Sequence, residues 1–278
     1  MNWHGETLWE AIAPHLPGFT VEVLPQLDST NSELMRRAKA GDVSPILLVA
    51  EQQTQGRGRL GRSWHSARTD GAAGAPALLD SLTFSLGLPL APADWSGLSL
   101  AVGVSLADSL DPGRRCGVQL KWPNDLLYQQ RKWGGVLIET APCESGPQAG
   151  QRYAVIGVGI NLSAAAVSAE GLRTPAAWLG EWQPLAAPDA PGTLAQMALP
   201  LVQTVLAFEV HGFAPFQARF HARDALLDRS VHLSDGSRGT ALGVSETGAL
   251  TVHTASGLHR VSSAEVSVQP PSNPSNLS

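Results

Sequence analysis

The sequence predicts an α+β fold with a small all-β module behind it, and three observations carry that prediction. Helix-like and strand-like stretches are mixed without a regular βαβα alternation, which favours α+β over a doubly wound parallel sheet. Near Leu227 the helical pattern stops, and only short β-like pieces separated by turn dipeptides follow. The chain has 278 residues, enough for one large domain with a small one attached, and enough to bury a core without cross-links.

The elements follow in order. Residues 1–26 are a lead-in with one helix-like piece at 7–15. Residues 28–40 predict a helix, because Thr30 and Glu33 form a capping-box pattern and Gly41 suits a C′ stop. The continuous apolar run 46–50 predicts a buried strand. A Gly- and Arg-rich loop covers 51–66, and a Gly/Ala insert at 67–77 is expected to be flexible. Residues 82–86 resemble a strand. Leu98, Val102, Leu106 and Leu110 recur every four residues, as on a helix with one apolar face. Strand-like runs come at 118–122, 135–139 and 153–159, and helices at 193–210 and 215–227. Pieces at 231–233, 239–244, 249–253 and 259–261 alternate with Asp235-Gly236, Thr247-Gly248 and Ser256-Gly257, the spacing of a small barrel of about 40 residues. The Pro/Ser/Asn-rich end, 269–278, is expected to be disordered. The predicted division is therefore 1–226, 227–268 and a tail.

Composition excludes several functions. Nineteen basic against 24 acidic residues give a net charge of −5, which argues against non-specific nucleic-acid binding. Cys116 and Cys143 sit in no CxxC or Cys/His cluster, so neither a disulfide scaffold nor a zinc site is supported. The first residues do not form a secretory signal. The apolar run 190–208 is interrupted by Gln196, Pro200 and Gln203, and reads as a buried helix rather than a membrane span. A cytoplasmic, reducing setting is expected.

Four motifs could carry chemistry. Gly56-Arg57-Gly58-Arg59-Leu60-Gly61-Arg62 sets three glycines and three arginines in seven residues. Glycine lets the backbone wrap a ligand, and arginine forks match carboxylate or phosphate oxygens. Taken alone, such a loop binds any polyanion or is simply a solvated basic loop. Lys121-Trp122-Pro123-Asn124-Asp125 ends one strand, and Arg131-Lys132-Trp133-Gly134-Gly135 opens the next. A single hairpin with two lysines, an amide and a carboxylate at its base suits an anionic nucleotide, or carries solvated charges. Ser29-Thr30-Asn31 either caps the first helix or binds a small group at its N-terminus. Gly157-Val158-Gly159-Ile160-Asn161 ends a strand with close-packing glycines.

Taken in this order, these motifs resemble those of the biotin protein ligases, over roughly residues 24–268. The resemblance implies a mixed-sheet, class II synthetase-like catalytic domain followed by an SH3-like barrel. It implies ATP and biotin as substrates with Mg²⁺, biotinyl-5′-AMP as intermediate, and a lysine of the biotin carboxyl carrier domain of acetyl-CoA carboxylase or a related carboxylase as acceptor. Lys132, Arg59 and Lys121 would be the catalytic cations. Ser29, Thr30, Asn31, Gln53, Gly56, Arg57, Gly58, Arg59, Lys132 and Gly135 would contact biotin. Arg57, Arg59, Arg62, Trp64, Lys121, Asn124, Lys132, Asn161 and Trp178 would contact ATP or the adenylate, with Asp125 as a metal ligand. Loops 56–62 and 164–177 are expected to order around ligand. Only about 25 residues precede the Asp28 motif, too few for the winged helix of the bifunctional members, so a ligase without repressor activity is expected. Family members often pair through a sheet edge, so a homodimer follows by analogy. A lipoate or octanoyl transferase is the nearest rival, but should lack the GRGRLGR and KWPND pair. A non-catalytic biotin-sensing or carrier-binding module is the rival outside enzymes, and retention of Arg59 and Lys132 speaks against it.

Overall fold

The computed structural model describes residues 1–66, 68–69, 78–144, 146–167, 176–182, 189–234, 236–262 and 266–268. Most of the 67–77 insert, the 168–175 part of the second loop and the whole 269–278 tail lie outside them.

Seven strands form one mixed sheet. They are β1 (Thr20–Leu24), β2 (Ile46–Ala50), β3 (Ser81–Leu90), β4 (Val118–Lys121), β5 (Asp125–Tyr128), β6 (Arg131–Pro142) and β7 (Arg152–Asn161). Their spatial order is β1-β2-β3-β7-β6-β5-β4. The β1–β2 pair is parallel, because helix α2 (Thr30–Lys39) carries the chain back between them; the other neighbouring pairs are antiparallel. A mixed sheet of this kind is the α+β arrangement the sequence predicts.

The two faces of this sheet differ in kind. Register pairs Thr83 with Gly159 and Gly159 with Gly135, then Ser85 with Gly157 and Gly157 with Leu137. Side chains alternate between faces along a strand. One face is therefore paved with Thr83, Ser85, Gly87, Gly135, Gly157 and Gly159. The other carries Phe84, Leu86, Leu88, Val136, Ile156, Val158 and Ile160, all buried. Helices α3 (Leu98–Leu110) and α4 (Ala190–His211) pack on the large-residue face. Helix α2 lies on the small-residue face, so close that a Cβ on Gly87 would stand 3.0 Å from Leu34 Cδ1.

Several expectations need correction. Helix α3 is apolar nearly all round, not on one face, because Leu100, Ala101, Val104 and Ala107 are buried between sheet and α4 as well. The first helix, α1, runs Gly5–Ile12 rather than 7–15. The single hairpin is a three-stranded meander: β5 stands between the two motif strands. Its turn to β6 uses Gln129 and Gln130, both at positive φ (48° and 63°), so no glycine or asparagine marks it. The helix expected at 215–227 ends early, as a 3₁₀ turn (Ala214–Phe216) and α5 (Gln217–His221). The following residues instead cover the sheet edge, where Leu120 N–H donates to Arg223 O and Ala225 N–H to Leu120 O, both at 2.8 Å. Helix α4 is long and apolar enough to cross a membrane. It is a core helix, with Leu194, Met197, Leu201, Val205 and Phe208 fully buried.

The C-terminal unit is a five-stranded antiparallel sheet. Its strands are β8 (Ser230–Leu233), β9 (Arg238–Val244), β10 (Leu250–Thr254), β11 (Gly257–Val261) and β12 (Val266–Val268), in the order β11-β10-β9-β8-β12. The sequence pattern marks the first four; β12 is an addition. Trp122 Nε1 donates to Gly248 O at 3.0 Å, joining the KWPND turn to the β9–β10 turn. Beside it, a Cβ on Gly248 would stand 2.6 Å from Gly97 Cα. A cleft of about 460 Å³ opens at the Val118 end of β4, lined by Arg114, Gln119, His221, Arg223 and Asp224 among others. There burial pushes Asp224 up to about 6.

Candidate active site

The site is built on the small-residue face. Ser29, not Thr30, is the N-cap of α2: its Oγ accepts from Ser32 N–H at 3.5 Å. Both residues are competent caps, and the neighbouring Gln53 decides between them. Thr30 N–H and Oγ1 both donate to Gln53 Oε1, at 2.8 and 3.2 Å. Ser85 Oγ lies 2.7 Å from both Thr30 Oγ1 and Asn31 Oδ1. Asn31 Nδ2 donates to Leu137 O at 3.2 Å and to Glu139 Oε2 at 3.0 Å. Ser29, Thr30 and Asn31 are buried. Gly157 is required below them, because a Cβ there would stand 2.1 Å from Asn31 Oδ1.

The GRGRLGR run is the tip of a hairpin whose ends pair Gly56 with Trp64 and Arg57 with Ser63. Gly58 N–H donates to Arg62 O at 2.7 Å, and exposed Leu60 takes a left-handed φ of 55° to close the tip. The hairpin folds back onto the sheet. The Trp64 indole lies on Gly159, where a Cβ would stand 2.6 Å from Cε2. Its Nε1 is buried without a hydrogen-bond partner among the described residues. Arg57 turns away, pairing with Glu139 (Nη2–Oε1 2.8 Å, Nη1–Oε2 3.2 Å) and touching Ser32 Oγ at 3.3 Å. Arg59 Nη1 reaches Asn124 Oδ1 at 3.4 Å.

The KWPND turn is stapled to β6. Asn124 Nδ2 donates to Val136 O at 2.8 Å, and Val136 N–H to Asn124 O at 3.1 Å. A β-bulge between Lys132 and Gly134 makes Trp133 the extra residue, and its ring packs edge-on against Trp182 in the core. The bulge re-aims Lys132. Its Nζ comes 3.1 Å from where a Cβ on Gly135 would stand, and donates to Asp125 Oδ1 at 2.5 Å. Lys121 is opposite Asp125 in the ladder and has no ion pair among the described residues. Asn161 Nδ2 holds Ala177 O at 3.1 Å, and Ala177 N–H donates to Lys132 O at 2.9 Å. Trp178 is next along, its N–H on Glu181 Oε1 at 3.1 Å, and Glu181 pairs with Arg131.

Contacts thus gather the sequence candidates into two linked groups. Arg59, Asn124, Asp125, Lys132 and Gly135 form one; Thr30, Asn31, Gln53 and Arg57 form the other. Asn161 and Trp178 join the first through a shared loop. Gly56 is tight by necessity, since a Cβ would stand 2.4 Å from Trp64 O. Ser85 and Glu139 were not singled out by sequence. A small polar residue in the apolar run 82–86 and an acid inside strand-like 135–139 are the only hints. Among the described residues no cluster of three or more His, Cys, Asp or Glu could hold a metal. Asp125 offers a single carboxylate, already on Lys132.

Comparison with known proteins places the chain in a family. Residues 23–161 match the biotin/lipoate A/B protein ligase family, and residues 227–269 the biotin protein ligase C-terminal domain. The bifunctional ligase/repressor BirA of Escherichia coli is 34% identical over 246 residues, which cover 86% of this chain and 71% of that protein. The biotin–[acetyl-CoA-carboxylase] ligase of Paracoccus denitrificans is 32% identical over 258 residues, covering 88% and 98%. A biotin protein ligase from Aquifex aeolicus, solved with biotin and ATP, superposes with a TM-score of 0.71 at 27% identity, covering 90% of this chain and 98% of that one. On the catalytic and C-terminal matches together, the chain belongs to the biotin protein ligase family.

Proposed function

We propose that this biotin protein ligase first joins biotin to ATP and then biotinylates a lysine of a carboxylase carrier domain. In the first step a biotin carboxylate oxygen attacks the α-phosphorus, the bond to pyrophosphate breaks, and biotinyl-5′-AMP forms. In the second, the carrier lysine attacks the mixed anhydride carbonyl, loses a proton, and AMP leaves.

The observation that carries the reading is the bulge-directed Lys132, its Nζ beside Gly135 on the glycine-paved floor. Two anions must approach each other, and a fixed cation where charge develops lowers that barrier. Arg59 stands nearby through Asn124, and Lys121 opens the same turn. Biotin's apolar body suits the side-chain-free backbone at Gly135, beside the end of the Lys132 stem. Its ureido ring suits the buried Ser29–Thr30–Gln53 cluster, which would reject analogues without matching donors and acceptors. Trp64 and Trp178 supply surfaces for adenine. Magnesium, when bound, would neutralise phosphate charge; one protein carboxylate, Asp125, is what an ion carried by phosphates needs.

The acidic balance favours a ligase that does not act on nucleic acid. Strand β1 ends the sheet, and a second copy would pair there. Free Cys116 and Cys143 suit the reducing cytoplasm. We take 1–226 as the catalytic domain and 227–268 as the C-terminal one.

The test is pyrophosphate release from MgATP, with biotin, lipoate or octanoate, for wild type and Lys132→Ala. Release with biotin alone, cut at least 100-fold in the variant, supports the reading. Tight biotin binding without release in the wild type would replace it with a biotin sensor.

A further inference from the structure

Glu139 has no place among the sequence-predicted contacts, yet it touches both halves of the site. Its carboxylate grips Arg57 in a two-point fork, with Oε1 2.8 Å from Nη2 and Oε2 3.2 Å from Nη1. The same Oε2 accepts from Asn31 Nδ2 at 3.0 Å. From Asn31 the chain of contacts runs to Ser85, from Ser85 to Thr30, and from Thr30 to Gln53. Gln53 Nε2 then abuts Gly56, where a Cβ would stand 3.0 Å away, and Gly56 is bonded to Arg57. The relay is a closed ring. It starts and ends at the GRGRLGR hairpin and passes under the start of α2.

We infer that Glu139 is a positioning residue, which reserves the Arg57 side chain for holding the hairpin against α2. Three observations lead there. The Arg57 guanidinium is engaged at both Nη atoms by one carboxylate, which offsets its charge and, together with Ser32 Oγ, occupies three of its five donors. The Glu139 side chain is only 22% exposed, against 47% for Arg57, so the strand is the anchor and the hairpin is what it holds. Asn31 spends its two side-chain donor contacts on Glu139 and on Leu137 O, so its orientation depends on the same carboxylate. Arg59 is thereby left as the hairpin arginine that reaches the KWPND turn. Glu139 acts through Asn31 and Arg57 and touches neither biotin nor phosphate.

This inference rests on the ligase reading, so its test has one arm that does not. The variants are Glu139→Gln, which keeps shape and hydrogen-bonding oxygen but loses charge, Arg57→Gln, and the double substitution. The first arm is tryptic cleavage after Arg59 and Arg62, sites that every variant keeps, in the unliganded full chain. The second is biotin and ATP KM in pyrophosphate release. Glu139→Gln should speed cleavage about fivefold and raise biotin KM about tenfold, with ATP KM within about twofold. The double variant should be no worse than the worse single, because both break one ion pair. Wild-type cleavage and biotin KM in Glu139→Gln, or additive effects in the double variant, overturn the inference. Should Glu139→Gln fail to fold, Arg57→Gln alone breaks the same pair from the exposed side, and unchanged cleavage there overturns it equally. A wild type without pyrophosphate release fails the ligase reading instead, and leaves the cleavage arm to decide this one.

Discussion

Gly159 lies at the centre of the sheet, with Thr83 and Gly135 as its register partners and the Trp64 indole on its open side. Replacing it by alanine puts a methyl 2.6, 2.7 and 2.9 Å from three indole carbons. Carbon atoms prefer about 3.5–4.0 Å, so something must retreat by roughly 1 Å. Strand β7 is pinned by β3 and β6 along its whole length, and cannot yield. Trp64 sits on a hairpin held by a two-residue ladder, and can. The strain therefore leaves through the hairpin. Overpacking typically costs about 1–3 kcal/mol, and here it opposes only the closed hairpin. Expressed as kcat/KM for ATP in biotin-dependent pyrophosphate release, that is a fall of about 5- to 150-fold. The Tm should move by less than about 2 °C. The control is Gly157→Ala, whose methyl would stand 2.1 Å from Asn31 Oδ1. Asn31 is fixed by three partners, so the same overpacking must be absorbed by the fold, and Tm should fall by about 2–10 °C. If Gly159→Ala lowers Tm as much as Gly157→Ala and leaves kcat/KM unchanged, the hairpin is not where strain leaves, and the reasoning is wrong.

Asp224 gives a pH prediction. In the fold its carboxyl keeps its proton to about pH 6, against 3.8 for the ordinary group, so folding takes up a proton between those values. Stability from this group is fully present below about pH 4 and is lost as pH rises to 6. Asp224→Asn, which retains the acceptor for Leu226 N–H, should be more stable than wild type by about 1–3 kcal/mol at pH 7.5 and equal to it at pH 4 in urea unfolding. A gap that is the same at both pH values would refute the titration account. Trp122→Phe removes the bond to buried Gly248 O and part of the buried indole with it. It should cost about 1–3 kcal/mol, read as a Tm loss of about 2–10 °C. An unchanged Tm would mean that the seam does not depend on that bond.

The parts legible in sequence are those written locally. Strand β2 is apolar throughout, and Gly41 stops α2 with φ of 92°. The GRGRLGR and KWPND runs announce a concentrated charge whatever surrounds them. Strand β5 escaped because Gln129 and Gln130 turn the chain with no local signal. The end of α5 escaped because residues 223–225 answer an edge strand about 100 positions earlier. Glu139 and Ser85 escaped for the same reason: each matters only through cross-strand register. Arg57 shows the converse case. Its motif singled it out, while its partner, 82 residues away, decides where its charge goes.

The seam between the two units has an evolutionary consequence. What the KWPND tryptophan meets on the C-terminal side is a main-chain carbonyl, and the neighbouring contact is one glycine backbone against another. Val244 likewise offers its main chain, the carbonyl to Gln217 Nε2 at 2.7 Å and the N–H to His221 Nε2 at 2.9 Å. The C-terminal unit is thus read there largely by its path rather than by its side chains. The outward side chains of that sheet are free to drift while the join persists, provided the Thr247-Gly248 turn keeps its shape and buried Ala241, Val244 and Leu250 stay apolar. Such a module can be grafted from a distant relative onto this catalytic sheet, and a chimaera carrying a foreign C-terminal sheet with a glycine at that turn should dock where a same-species copy bearing alanine there would not.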